Sequence, residues 1–495
     1  MADVFASIEE AFKNEDVPRV EALLWPALDQ FPFESRLWFY GGCVYFKKGQ
    51  VAVAQALFHR AVDLDDAPHI YSNLGACYRR LNLHEEGIHV LKMAVEKKPD
   101  YVPALTNLGS MFVNEGRPEE GIPYLEKAKA IGTERGAVWN LGLLYLEAAR
   151  FAEGFDHYRE GVTHERSTRS FGSKDGSIPD PLLMTPELFK WARGQRKRVI
   201  VWGEQGIGDE LMFATILNDA IEDFDVVFEC HPRLEKLHRN STWAQKLTEQ
   251  GRPVQIYPTR KDDWIQWPIN DKVVADYKMP IGDLACYYRR DLASFKAGWD
   301  RSGPTYRAKQ AEAEPYRERL SALAGDRPIV GLATRGGVMQ TSRTYRVIRQ
   351  QEIDRLMQET NALFVSLDYE DMLGLAGYIE EKYGPDRYRW FPSIVHHYDY
   401  DHTAALVSAC DMVVTVCQSV AHLAAGIGAQ TRVLAAKRCA WREIAADPAN
   451  PELWYWWPGE NTRIYHQKAV DDWRYPLDRA ISDVNSLSAL LKEAA

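Results

Sequence analysis

The chain has 495 residues, 46% of them hydrophobic and 26% charged, so it is long enough for two or three globular domains with sizeable cores. A formal net charge of −10 argues against a nucleic-acid-coating protein, and no apolar run reaches transmembrane length. The seven cysteines are scattered without a CxxC pair, and the acidic, amphipathic start is not a signal peptide. We therefore expect a cytoplasmic protein with reduced thiols and no metal site.

A repeat with a period of 33 or 34 residues occupies the first third of the chain. Four glycines, each flanked by apolar or aromatic residues at helical spacing, recur at this period: Gly42, Gly75, Gly109 and Gly142. Small residues recur at the same spacing, namely Ala27, Ala61, Ala94 and Ala128. This pattern predicts helix pairs that cross closely at the small residues.

In period and in residue pattern, this array resembles the tetratricopeptide repeat (TPR). The resemblance implies a helical α-solenoid over residues 1–165, with a degenerate first unit at 2–33. Its concave groove is expected to hold a peptide or protein partner. A dimerisation surface or a purely structural platform is the alternative.

Residues 166–197 read as a linker, because their first half is polar and contains glycine and proline. Within it, the stretch from Leu182 to Arg193 is expected to form one short helix. The basic residues 196–198 then lead into an apolar strand.

The stretch 198–210 combines this strand with a glycine-rich turn that contains Gly206 and Gly208, and a helix follows. Strand, glycine turn and helix start are a common way to bring backbone N–H groups to a ligand. Asp209 at the turn would repel a phosphate, so the residues leave two interpretations of it: a general base or a helix cap. The turn matches neither GxGxxG nor a P-loop.

Strands alternate with helices in residues 198–318 and again in 319–495, which predicts two parallel, doubly wound α/β domains. Two sites in the second domain are suited to anions. The first is a loop with Thr334 and Arg335 that continues to Arg343, for which phosphate contact competes with a solvated face. The second is a helix start at Ser419, followed by His422, which has either a structural or a functional role.

Aromatic residues are dense near the end of the chain, at 454–457 and at Trp473. We expect them to pack the C-terminal segment back across the two α/β domains. A platform for stacking sugars is the alternative.

Two long motifs resemble those of one family. Residues 201–213 are similar to the first-strand signature of a bacterial group in which a TPR array is fused to a domain of the ADP-heptose:LPS heptosyltransferase type. Residues 413–428 resemble its second signature, and shorter similarities occur at 281–284 and 441–442. The resemblance implies a GT-B fold of two Rossmann-like domains, with a C-terminal helix.

The family implies metal-independent transfer of a sugar from a nucleotide-sugar co-substrate to an acceptor hydroxyl, with no further cofactor. Asp209 matches the proposed catalytic base. The acceptor side of the turn then comprises Glu204, Gly206, Gly208 and Glu210. The residues expected to bind the donor phosphates or nucleotide are Thr334, Arg335, Arg343, Gln418, Ser419, Val420 and His422.

One departure from the family concerns the donor. Cys417 stands where the family has an acidic residue, and Gln418 stands where it has threonine, which argues against ADP-heptose. Three interpretations remain open. The acceptor is a Ser or Thr of a protein recruited by the repeats, or it is a lipopolysaccharide or capsule saccharide, or the chain is a non-catalytic scaffold.

Overall fold

The computed structural model describes residues 2–132, 135–166, 169–203, 206–259, 267–336, 346–368, 373–394 and 400–494. The chain divides into two compact units, Met1–Ala148 and Ala149–Ala495. None of the helices in the described ranges is both long and apolar enough to cross a membrane.

Helices are the only regular secondary structure in the described residues of the first unit. Its helices are α1 (Ala2–Lys13), α2 (Val17–Gln30), α3 (Ser35–Lys47), α4 (Val51–Leu64), α5 (Pro68–Arg80), α6 (His84–Lys97), α7 (Val102–Glu115), α8 (Pro118–Ile131) and α9 (Arg135–Glu147). Each helix packs on the next, and short turns join the helices from α1 to α8. The unit is therefore a helical solenoid of TPR-like pairs.

Small residues set the spacing within each helix pair, as the period predicts. A Cβ added at Gly109 in α7 would lie 2.3 Å from Leu125 Cγ in α8, so a larger residue has no room there. The alanines at 61, 94 and 128 on the second helices are completely buried. Close packing at repeated positions lets neighbouring pairs bury one continuous apolar core.

The second unit mixes helices and parallel strands. Its helices are α10 (Phe151–Arg166), α11 (Pro186–Ala192), α12 (Ile207–Phe213), α13 (Leu217–Asp223), α14 (Glu235–Arg239), α15 (Thr242–Glu249), α16 (Trp267–Asn270), α17 (Leu284–Tyr288), α18 (Leu292–Ser302), α19 (Gln310–Ala324), α20 (Gln350–Glu359), α21 (Leu373–Tyr383), α22 (Tyr400–Ser408), α23 (Ser419–Ile427) and α24 (Arg474–Ala494).

The strands of the second unit form two sheets. They are β1 (Leu182–Leu183), β2 (Arg198–Trp202), β3 (Asp225–Glu229), β4 (Gln255–Tyr257), β5 (Tyr277–Pro280), β6 (Ile329–Ala333), β7 (Leu363–Ser366), β8 (Tyr388–Arg389), β9 (Met412–Val416), β10 (Thr431–Ala435) and β11 (Thr462–His466). The first sheet has the order β1-β5-β2-β3-β4, and the second has β11-β10-β9-β6-β7-β8. All named strand pairs are parallel, as expected.

The apolar runs of the sequence form the central strands of the second sheet, because helices cover both faces of this sheet. Every residue of β6, β7 and β9 is buried. One apolar cluster includes residues of α20 and α24 on one face, and another includes residues of α19, α22 and α23 on the other. Continuous rather than alternating hydrophobicity is the pattern of a parallel sheet that is buried on both faces.

The segment 166–197 contains more structure than a linker. The expected helix from Leu182 to Arg193 is wrong at its start, because Leu182 pairs with Tyr277 in an edge strand of the first sheet. The helix starts only at Pro186, where Thr185 accepts the Leu188 N–H at 3.2 Å. Helix α10, which the sequence analysis placed at the end of the repeat array, belongs to the second compact unit.

Candidate functional site

In each sheet the strand order reverses once, and this reversal marks the crevice where open α/β sheets bind ligands at the carboxyl ends of their strands. In the first sheet it lies between β2 and β5, and in the second between β6 and β9. The glycine turn of residues 203–209 follows β2, and residues 417–419 follow β9. Both sequence motifs therefore stand at reversal points.

Asp209 lies in the first turn of α12 and has two partners. Its Oδ2 accepts the Gly206 N–H at 3.2 Å, which caps the helix start. Its Oδ1 forms an ion pair with Nε of Arg442, from the segment that follows β10. The carboxylate thus caps its helix and also faces a cation from the segment that follows a strand of the other sheet.

Arg442 is mostly enclosed, with 22% of its side chain exposed. Burial lowers the pKa of this guanidinium, but the carboxylates of Asp209 and Glu443 outweigh burial and leave the pKa above its ordinary value. The Arg442 carbonyl accepts the indole N–H of Trp454 at 2.7 Å, which fixes the backbone at this point. Arg442 is therefore a permanent and well-positioned positive charge.

Of the other predicted acceptor residues, Gly206 and Gly208 lie beside Asp209, whereas the side chain of Glu210 has different partners. The carboxylate of Glu210 is buried and accepts the His231 N–H at 2.9 Å, and it lies 3.2 Å from His238 Nε2. These contacts tie α12 to the segment that follows β3. Glu204 lies outside the described residues.

Helix α23 starts at Ser419, whose hydroxyl lies 2.7 Å from the hydroxyl of Tyr400. One turn later, His422 is buried, and its Nδ1 accepts the indole N–H of Trp457 at 3.1 Å. Burial lowers the pKa of His422 to about 3, and the charge of Arg442 acts in the same direction. The imidazole is therefore neutral near pH 7.

The two helix starts meet at Gly208. A Cβ added there would lie 3.4 Å from His422 Cδ2 and 3.5 Å from Ser419 Cα. The structure thus brings together predicted residues from both motifs, namely Asp209 and Gly208 from the first and Ser419 and His422 from the second. Only a residue without a bulky side chain allows this contact.

The loop after β6 is held by a residue that the sequence analysis missed. Asp368, two positions after β7, accepts the Thr334 hydroxyl at 2.7 Å, the Thr334 N–H at 2.9 Å and the Arg335 N–H at 3.2 Å. Burial raises the pKa of Asp368, and these hydrogen bonds oppose the rise. An acidic residue just beyond a buried strand was the available signal. Arg343 lies outside the described residues.

The two segments at the second reversal point touch each other. A Cβ added at Gly336 would lie 2.4 Å from the Cys417 carbonyl oxygen. Cys417 is buried, and burial raises the pKa of its thiol well above the ordinary value, so the thiol carries no negative charge. Gln418 is buried beside it, and the side chain of Val420 belongs to the apolar core.

The tryptophans at 454, 456 and 457 and Tyr455 are buried, as is Trp473, in agreement with the packing role expected for them. The indole N–H of Trp456 donates to the Met212 carbonyl of α12 at 3.1 Å. The cluster therefore holds both α12 and the segment that carries Arg442. In the described part of the chain, no group of three or more His, Cys, Asp or Glu side chains is placed to bind a metal.

Comparison with known proteins relates part of the repeat array to a known family and the chain as a whole to a distant relative. The tetratricopeptide repeat family matches residues 102–131. Protein FlbA of Caulobacter vibrioides is 22% identical over 84% of this chain and 73% of its own length. A crystal structure of MamA is 18% identical, with a TM-score of 0.30, over 34% of this chain and 92% of its own. YrrB, described as a TPR protein with an unusual peptide-binding site, is 18% identical, with a TM-score of 0.28, over 32% of this chain and 82% of its own. The N-terminal unit is thus a TPR-like solenoid, and parallel α/β sheets follow it in the chain.

Proposed function

We propose that the second unit is a glycosyltransferase with a GT-B arrangement of two Rossmann-like domains. It transfers a sugar from a nucleotide-sugar donor to an acceptor hydroxyl in the cytoplasm. The observation that carries this proposal is the contact at Gly208, where the helix start after β2 meets the helix start after β9. Ligands of open α/β sheets bind at such positions, and two facing sites suit a reaction with two substrates.

Asp209 is the general base of the proposed reaction. The acceptor oxygen forms a bond to the anomeric carbon while the bond from that carbon to the donor phosphate breaks. The acceptor proton passes to the Asp209 carboxylate. The donor leaves as a nucleoside diphosphate, and Gly206 and Gly208 leave room for the acceptor.

The leaving diphosphate binds on the side of the second sheet. Backbone N–H groups at the start of α23, the Ser419 hydroxyl and the His422 imidazole supply hydrogen bonds. Thr334 and Arg335 border the same reversal point, and Arg442 adds a positive charge close to it. These groups provide, without a metal ion, the charge stabilisation that the departing diphosphate needs.

The repeat array makes a protein the preferred acceptor. TPR-type solenoids present extended concave surfaces that suit peptide and protein binding. An enzyme whose acceptor is a saccharide would gain little from a groove of this kind. We therefore propose that the first unit recruits a protein whose Ser or Thr is modified.

A screen of nucleotide sugars for release of free nucleotide, followed by mass spectrometry of candidate acceptor proteins, tests this function. With the active donor, D209N is expected to lower turnover at least 100-fold, because an amide cannot take the proton, while donor affinity changes less than about threefold. R349A serves as a matched control, since its exposed partner is Asp471. Turnover that survives in D209N would remove Asp209 from the mechanism.

A non-catalytic scaffold is the second candidate, and one observation favours it. The buried Cys417 thiol replaces the family's carboxylate, so a group expected to recognise the donor is missing. Calorimetry with a panel of nucleotides and nucleotide sugars separates the two functions. Binding of any nucleotide sugar supports the transferase, whereas no binding across the panel supports the scaffold.

A further inference from the structure

The two nitrogens of the His422 ring have different surroundings. Nδ1 accepts the indole N–H of Trp457 at 3.1 Å. An indole nitrogen can only donate, so Nδ1 carries no proton in this bond. A neutral imidazole has one proton, which must then reside on Nε2.

The ring approaches the junction of the two helix starts through the carbon atom next to Nε2. Cδ2, which is bonded to Nε2, is the ring atom nearest the position of a Cβ on Gly208. Nε2 lies 3.9 Å from Oε1 of Glu443, which is too long for a hydrogen bond. Among the described residues, none accepts a hydrogen bond from Nε2.

Burial and the positive charge of Arg442 keep the ring neutral. The Glu443 carboxylate lies near Nε2 but is too far away to accept a hydrogen bond from it. Burial raises the pKa of Glu443, while Arg442 and Arg346 oppose the rise. The ring of Trp454, 5.0 Å away between centroids, covers His422 from another side.

We propose that Trp457 is a positioning residue that holds His422 as a neutral Nε2–H donor, aimed at an anionic oxygen bound where the two helix starts meet. Under the proposed function, on which this inference rests, that oxygen belongs to the leaving diphosphate. A neutral donor binds the oxygen equally well across neutral pH. His422 therefore contributes a hydrogen bond, and its protonation state does not change across neutral pH.

The first test is NMR of the full-length chain with ¹⁵N-labelled histidine, in which the His422 signals are identified by their loss in H422Q. The wild-type ring is expected to show the Nε2–H form and no titration between pH 5 and 9. In W457F, a fraction of the Nδ1–H form or titration within that range should emerge. A wild-type Nδ1–H form, or identical behaviour in W457F, would overturn the positioning role.

The second test measures affinity for inorganic pyrophosphate by calorimetry. Glutamine places an N–H near the position of Nε2, whereas asparagine reaches only the position of Nδ1. H422Q is expected to bind within about threefold of wild type, and H422N about tenfold more weakly, which corresponds to roughly 1.4 kcal/mol. Equal affinity in all three proteins, or no binding to wild type, contradicts a donor role at Nε2.

These outcomes are distinguishable from failure of the proposed function. The NMR result reports on the ring and its indole partner in the absence of any donor or acceptor. A blank donor screen combined with the Nε2–H form and the expected pyrophosphate series would reject glycosyl transfer and retain an anion site. Loss of the Nε2–H form alone would reject this inference and leave the transferase intact.

Discussion

The helix starts that meet at Gly208 balance their charges in opposite ways. The start of α12 carries the Asp209 carboxylate, which Arg442, from the segment after β10 of the second sheet, neutralises. The start of α23 has no acidic residue in its first turn, and its His422 is uncharged. The charge at the N-terminus of α12 is thus paired within the protein, whereas the N-terminus of α23 retains hydrogen-bond donors that can bind an anion. Under the proposed function, this difference suits the acceptor at the N-terminus of α12 and the leaving group at the N-terminus of α23.

The largest expected effect comes from breaking the ion pair at the first start. R442A leaves the largely enclosed Asp209 carboxylate without its cation and should lower the free energy of unfolding by about 2–3 kcal/mol. Chemical denaturation followed by tryptophan fluorescence measures this loss. R349A, whose side chain and Asp471 partner are 58% and 45% exposed, should cost less than about 1 kcal/mol.

A double-mutant cycle shows whether the loss belongs to the pair. Adding D209N to R442A removes the unpaired charge and should recover part of the lost stability. If the effects of the two substitutions are additive, the pair has no coupling energy. The claim that Arg442 neutralises Asp209 at the N-terminus of α12 would then be wrong.

The neutral imidazole of the second start predicts a dependence of stability on pH. The folded-state pKa of about 3 lies below the ordinary value of 6.5, so between these values the unfolded chain binds a proton that the folded chain does not. The contribution of neutral His422 to the free energy of unfolding is fully present above pH 6.5 and is lost as the pH falls towards 3. At pH 5 the loss is about 2 kcal/mol relative to pH 7.

H422Q lacks this titration and should therefore lose about 2 kcal/mol less than wild type between pH 7 and pH 5. Urea unfolding at both pH values gives the two differences, and other titrating groups cancel between the proteins. Equal losses in the two proteins would mean that the pKa of His422 is the same in the folded and unfolded states, and the N-terminus of α23 would then carry a positive charge at pH 5.

The repeat and the sheets could be predicted from the sequence, but only part of the candidate site could. Glycine at a fixed period identifies the solenoid, because a close helix crossing needs a small residue at Gly109 and its equivalents. Continuous apolar runs identify buried parallel strands such as β6. Both are local patterns, in which the residues that interact recur at a spacing fixed by the secondary structure.

The missing part of the site depends on residues that are distant in the sequence. Arg442 lies 233 positions from Asp209, and no spacing rule connects the ends of β2 and β10. Asp368 likewise acts on a loop 34 positions earlier. The orientation of Glu210 towards His231 was also hidden, because an acidic residue beside Asp209 reads as part of the same surface. The order of the strands in each sheet decides which of these residues meet. The sequence pattern does not determine that order.

A smaller effect is expected at the loop that borders the second start. D368N keeps the shape of the side chain but replaces one acceptor oxygen by a donor, so one of its bonds to Thr334 or Arg335 is lost. We expect a loss of about 1 kcal/mol in the free energy of unfolding. Amide hydrogen exchange should accelerate at Thr334 and Arg335 and stay unchanged in β3. Unchanged exchange at both positions would show that Asp368 does not hold this loop.

The smallest effect, which is expected of G208A, tests the contact between the two helix starts. In G208A the new Cβ would meet His422 and Ser419 at 3.4 and 3.5 Å, which is ordinary van der Waals contact. Alanine also favours a helix over glycine, so the free energy of unfolding should change by no more than about 0.5 kcal/mol. In G208V the extra methyl groups have no space between the two helix starts, and overpacking should cost about 1–3 kcal/mol. Thermal unfolding of the two variants measures the difference. If valine is tolerated as well as alanine, the two starts are not packed together at this position, and a site shared between them would have to be abandoned.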